Sequence, residues 1–207
     1  MNEWTKKWLE GIACDIEAKY GSEASNRILG DFQNIEEDHD SLKKWFSQFI
    51  DGMDKLNDKT FLANVMAARC PCGHSEDGGV EDNIRKNYHE SNSLEEFVKR
   101  LDNDGLFEDT ISLDGNVLIA TKKPFSKYGT HDHAEPYSAS CHCNLASRTC
   151  GPISDIFCHC CTVGFYGKMF KNALGKDVKV EFRDSVISGG KGCTAAIYLP
   201  EIKGKNE

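Results

Sequence analysis

The sequence predicts an α+β fold, with N-terminal helices packed on a C-terminal antiparallel sheet and one long helix after a cysteine cluster. Three observations lead there. Apolar residues recur at helical spacing as far as residue 103. After Asp104-Gly105 the period shortens to that of strands, with Asp114-Gly115 and Gly189-Gly190 as turn signals. Between the two strand pairs, a stretch crowded with cysteine runs into an amphipathic segment closed by Gly175. Helices grouped before strands, without βαβ alternation, indicate α+β rather than a parallel doubly wound sheet. The helical region is residues 1–103 and the α+β region residues 104–203, read as one continuous domain.

The first helix covers residues 3–20, because Trp4, Trp8, Ile12 and Ile16 recur at i+4 and Leu9 and Ala13 widen the stripe. Cys14 lies just off that stripe and reads as a small core residue. A second helix over residues 22–29 ends at Gly30. Leu42, Trp45, Phe46, Phe49, Ile50 and Met53 mark a third, with Asp40 or Ser41 as N-cap. Helices over residues 60–69, 81–88 and 93–101 follow, the last introduced by Ser91 or Ser93 with Glu95 or Glu96 near N3. Strands are expected in the segment of Leu106, Phe107, Ile111 and Leu113 and over 117–121, 178–182 and 193–199.

The formal charge of −8 and the absence of a basic run exclude nucleic acid or an anionic membrane as the main partner. No apolar run reaches 18 residues and the N-terminus lacks an apolar leader, so the expectation is a cytoplasmic protein with no membrane association. Ten cysteines in a reducing compartment then call for an explanation other than disulfides. Cys141, Cys143, Cys150, Cys158, Cys160 and Cys161 lie close together, interleaved with His142 and His159. Cys70-Pro-Cys72-Gly-His74 is a second donor group, in which Pro71 and Gly73 favour a tight loop.

Zinc takes about four N or S ligands at ~2.0–2.3 Å, and these two groups supply more than enough donors. Thiolates hold iron–sulfur clusters equally well, so a cluster is the alternative cofactor. Reduced structural cysteines, or a redox pair such as Cys158 and Cys161 at i,i+3, also fit the pattern. His131 and His133 read as loop residues, while His39 and His89 stand in charged surroundings and read as exposed. Neither a phosphate-cradling loop nor a Gly-x-Ser-x-Gly elbow is present.

Residues 157–199 resemble the 4-vinyl-reductase-type small-molecule-binding domain. The resemblance rests on a Cys-containing segment entering a helix, Gly164-x-Tyr166-Gly167, Leu174-Gly175, Val178-x-Val180 with Asp184-Ser185, and Gly189-Gly190-x-Gly192-Cys193. It implies a zinc site with Cys158 or Cys160 in first place, Glu181 as acidic ligand and Cys193 last. The family's remaining Cys falls near Ser185, so Cys160, Cys161 or Cys141 would complete the set. It also implies a small-molecule ligand and a homodimer. The whole chain is similar to cysteine-rich proteins of anaerobic bacteria.

The expected function is a zinc-binding protein with a small-molecule pocket. Its metal ligands come first from Cys158, Cys160, Cys161 and Cys193, then from Cys141, Cys143 and Cys150, with Cys70, Cys72 and His74 joining them or forming a second site. Two other classes stay open. One is a hydrolase using zinc-bound water with His159 or His142 moving protons. The other is an iron–sulfur or dithiol redox protein.

Overall fold

The computed structural model describes residues 3–35, 38–69, 79–104, 110–122, 155–188 and 190–202. Four helices come first in the chain: α1 (Glu3–Tyr20), α2 (Ser22–Leu29), α3 (His39–Lys55) and α4 (Lys59–Ala68). The helical stripe of α1 is inside, with Leu9, Ile12 and Ile16 fully buried. Cys14 is exposed, which corrects its reading as a core residue. It stands two residues from both Ile12 and Ile16, and i,i+2 positions do not share a helix face.

The third helix begins earlier than expected. Asp38, not Asp40 or Ser41, is its N-cap, accepting the Ser41 N–H at 2.9 Å. A carboxylate three residues ahead of that donor satisfies an N–H with no partner inside the helix. Asp58 does the same for α4 through the Phe61 N–H, and hydrogen bonds from Lys19, Tyr20 and Phe61 hold its carboxyl down to about 2.

The next two helices, α5 (Gly79–Glu90) and α6 (Leu94–Asn103), belong to a different core. Ser93 caps α6 through the Glu96 N–H, and Glu96 in turn accepts the Asn92 N–H at 2.9 Å. Strands β1 (Thr110–Asp114), β2 (Val117–Lys122), β3 (Lys179–Asp184) and β4 (Cys193–Tyr198) form an antiparallel sheet in the order β1-β2-β4-β3. The two-residue turn Gly115-Asn116 closes the first hairpin. A bulge between Phe182 and Asp184 irregularises the β3–β4 pairing. Leu118, Ala120, Ala195 and Ile197 share one face of the sheet. They are covered by Tyr166, Met169, Phe170 and Ala173 of the last helix, α7 (Phe165–Leu174), which Gly175 closes in the left-handed region at φ 68.

The helix-then-sheet order is therefore as expected, but the cores divide differently from the chain. Ile156, Phe157, Cys158, Cys160, Val186, Ile187 and Cys193 pack into the core of α1–α4. Ile84 of α5 and Phe97, Val98 and Leu101 of α6 pack with the sheet. Among the described residues no helix is long and apolar enough to cross a membrane.

Arg85 ties α5 to α7. Its guanidinium donates to the carbonyls of Ala173 at 3.0 Å and Asn172 at 2.9 Å, in the last turn of α7, where carbonyls have no partner within the helix. Arg85→Met is expected to cost about 1 kcal/mol, a melting temperature lower by roughly 2–4 °C in scanning calorimetry. An unchanged melting temperature would show that water replaces the guanidinium without loss.

Candidate functional site

A 3-10 turn, Asp155–Phe157, leads into helical backbone at Cys158, and Cys160–Gly164 then widen into a π-helical turn that continues as α7. The Phe165 N–H bonds back to the Cys160 carbonyl, five residues earlier. Cys158, Cys160 and Cys161 therefore lie in helix, not in the irregular loop that the cysteine spacing suggests. The wider turn frees backbone groups, and the buried Thr162 hydroxyl takes up one of them, donating to the Cys158 carbonyl at 2.6 Å. π-turns within helices are rare and concentrate at functional sites.

The sulfurs fall into two environments. Cys158 and Cys160 are buried among the apolar residues of the first core, while Cys161 is half-buried. Cys193, 4% exposed, begins β4. Burial pushes its thiol pKa up, and the Val186 N–H, donating to the sulfur, pulls it down. Cys161 also pushes it up and Lys122 pulls it down. Cys193 is a free thiol.

Lys122 is the residue that the sequence reading misses. It is the cross-strand partner of Cys193, its ammonium donates to the Cys161 carbonyl at 2.9 Å, and it stands 3.7 Å from the Phe165 ring centroid. It thus joins β2, β4 and the π-turn at one point by a hydrogen bond and a cation–π contact. A signal was present: Leu118, Ala120 and Lys122 share one phase of β2, so a cation follows two core positions. Gly192 permits the approach, since a Cβ there would come within 2.7 Å of Thr121 Cγ2 and 2.9 Å of the Lys122 carbonyl.

Soft thiol donors suit zinc. Among the described residues, however, no three His, Cys, Asp or Glu side chains are grouped to hold a metal. Cys161 and Cys193 supply two donors of about four. Glu181 does not join them. It pairs with Ala196, and Cys193 and Ala196 point to opposite faces of β4. Its carboxylate is occupied by the Tyr198 hydroxyl at 2.8 Å, Lys179 at 2.7 Å and Arg183 at 2.8 Å. The remaining candidates, Cys141, Cys143, Cys150, Cys70, Cys72 and His74, lie outside the described residues, as does His142.

Beside the π-turn, an open groove of about 520 Å³ runs between α4 and β3. His159 lies against it, its ring tilted 33° on Phe182 with centroids 5.2 Å apart. Burial lowers the His159 pKa, and Asp155 opposes the shift. The imidazole should therefore titrate below ~6.5 in an NMR experiment. The unfolded chain takes up this proton first as pH falls, so stability decreases from about pH 6.5 down to the native midpoint. A native midpoint above 6.5 would mean that Asp155, not burial, governs the ring.

Comparison with protein-family models, with curated proteins and with solved structures returns no match to this chain.

Proposed function

We propose that this chain is a zinc-binding protein of a reducing, cytoplasmic compartment. Its metal site is centred on Cys161 and Cys193, is completed from the Cys141–Cys150 stretch, and adjoins a small-molecule pocket. The observation that carries the reading is that Lys122, the cross-strand partner of Cys193 on β4, donates to the Cys161 carbonyl on the π-turn. Two soft donors from distant parts of the chain thus stand on elements that Lys122 ties together. In this reading zinc clamps the π-turn to the sheet, and binding requires Cys193 to give up its proton. The resemblance to the 4-vinyl-reductase-type domain points the same way for Cys193 and admits Cys161 as a completing ligand, while its first place would fall to Cys158 or Cys160. Glu181 is left out, because its sheet face is wrong. The pocket is the groove beside His159, whose volume falls within the roughly 300–1,000 Å³ usual for ligand sites.

The test is metal content by mass spectrometry together with a visible spectrum, on protein purified without oxygen. Stoichiometric zinc without visible absorption is the expected result. Iron with sulfide and a broad visible band would replace zinc by a cluster on the same thiols. Finding neither metal would overturn the reading.

A further inference from the structure

The groove beside the π-turn has walls of unequal character. One side is apolar: Val163 of the π-turn with Val180 and Phe182 of β3. The other, formed by α4, is mostly polar: Lys59, Thr60 and Asn64, with Ala63 among them. These fall into register because Lys59 and Ala63, and Thr60 and Asn64, are four residues apart on one helix face. His159 also lines the groove, its ring tilted on that of Phe182.

Two charges border the groove, and they differ in how far they are satisfied. The Glu181 carboxylate is covered by Tyr198, Lys179 and Arg183. Lys59 is exposed and has no ion pair or hydrogen bond to another side chain among the described residues. The unbalanced charge of the groove is therefore positive, next to an aromatic and aliphatic wall. A cation beside such a wall selects a ligand with a flat apolar body and one anionic group.

We infer that this groove binds a small aromatic carboxylate, its ring lying along Val163, Val180 and the His159–Phe182 pair and its carboxylate meeting Lys59 and Thr60. The inference names the ligand class of the pocket in the proposed function and rests on that pocket, not on the metal.

Benzoate and its uncharged isostere benzamide are suitable probes, titrated against the full chain by ligand-observed NMR. Benzoate is expected to bind about tenfold more tightly than benzamide, the margin of one charge-assisted hydrogen bond. Lys59→Met is expected to weaken benzoate about tenfold, to the level of benzamide, and to leave benzamide unchanged. Phe182→Leu, which keeps an apolar wall but removes the ring, is expected to weaken both. Equal affinities in the wild type, an unchanged benzoate affinity in Lys59→Met, or no binding of either probe would overturn the inference. Zinc measured on the same samples separates the two readings. Zinc-replete protein that ignores benzoate fails only this inference, and metal-free protein that discriminates the probes fails only the metal site.

Discussion

Cys193→Ser is expected to abolish stoichiometric zinc binding and to lower the melting temperature by roughly 10 °C or more, because a structural zinc site stabilises the fold through its binding free energy. The size of the drop separates this from a simple packing effect. Without metal, Cys193 is a buried thiol accepting the Val186 N–H. A serine hydroxyl could accept the same bond, so the cost would be only about 1–3 kcal/mol for burying a more polar group. A chelator makes the distinction sharper. It should bring the wild-type melting temperature down to that of Cys193→Ser and leave the variant unmoved. Cys14→Ser serves as a control, since Cys14 is exposed on α1 and should change neither quantity. If chelation leaves the wild type unchanged while Cys193→Ser still loses stability, the residue is a packing cysteine and no metal clamps β4.

The second large effect lies in the first core. Phe49 is fully buried, stacks on Trp45 at 5.3 Å and 8°, and meets Phe157 edge-on at 5.3 Å and 76°. Phe157 also lies 5.1 Å from Phe46, and it immediately precedes Cys158. This aromatic group is what seats the start of the π-turn on α3. Phe49→Ala should cost about 3–5 kcal/mol, as large-to-small changes in a packed core do. That corresponds to a melting temperature roughly 10 °C lower or more in a chain of this size. Phe157→Ala should cost a similar amount, and the double variant less than the sum, with a coupling of about 0.5–1.5 kcal/mol from the lost edge-to-face pair. Urea unfolding measures all three. Strict additivity would show that the two rings stabilise separate parts of the chain.

The local elements were legible because their causes are local. The stripe Trp8, Ile12 and Ile16 defines α1, Gly175 marks the end of α7, and Asp114-Gly115 marks the first hairpin. Where several residues can play one role, sequence alone leaves a choice. The acidic run before α3 offers several caps, and Asp38 is used because its carboxylate reaches the Ser41 N–H. The π-turn had no local signal, since it arises from a single-residue change of hydrogen-bond register inside a helix. The sheet order was also hidden. Pairing β2 with β4 joins segments far apart in the chain, and that pairing sets Lys122 opposite Cys193.

The site was legible in its residue types but not in its grouping. Cysteine density singles out Cys158, Cys160 and Cys161 without saying that two of them turn into the helical core while Cys161 stays half-buried beside Lys122. Glu181 shows the opposite limit. The resemblance implies an acidic ligand at Glu181, yet strand parity turns it to the other face of the sheet.

The most direct measurement is cobalt(II) substitution, because sulfur-to-cobalt charge-transfer absorption grows with the number of coordinated thiolates. A thiolate site centred on Cys161 and Cys193 requires a strong band in the wild type. The band should weaken in Cys161→Ser and again in Cys193→Ser, and it should be untouched in Glu181→Gln. A band indifferent to both cysteine substitutions, or no band at all, would contradict the metal site.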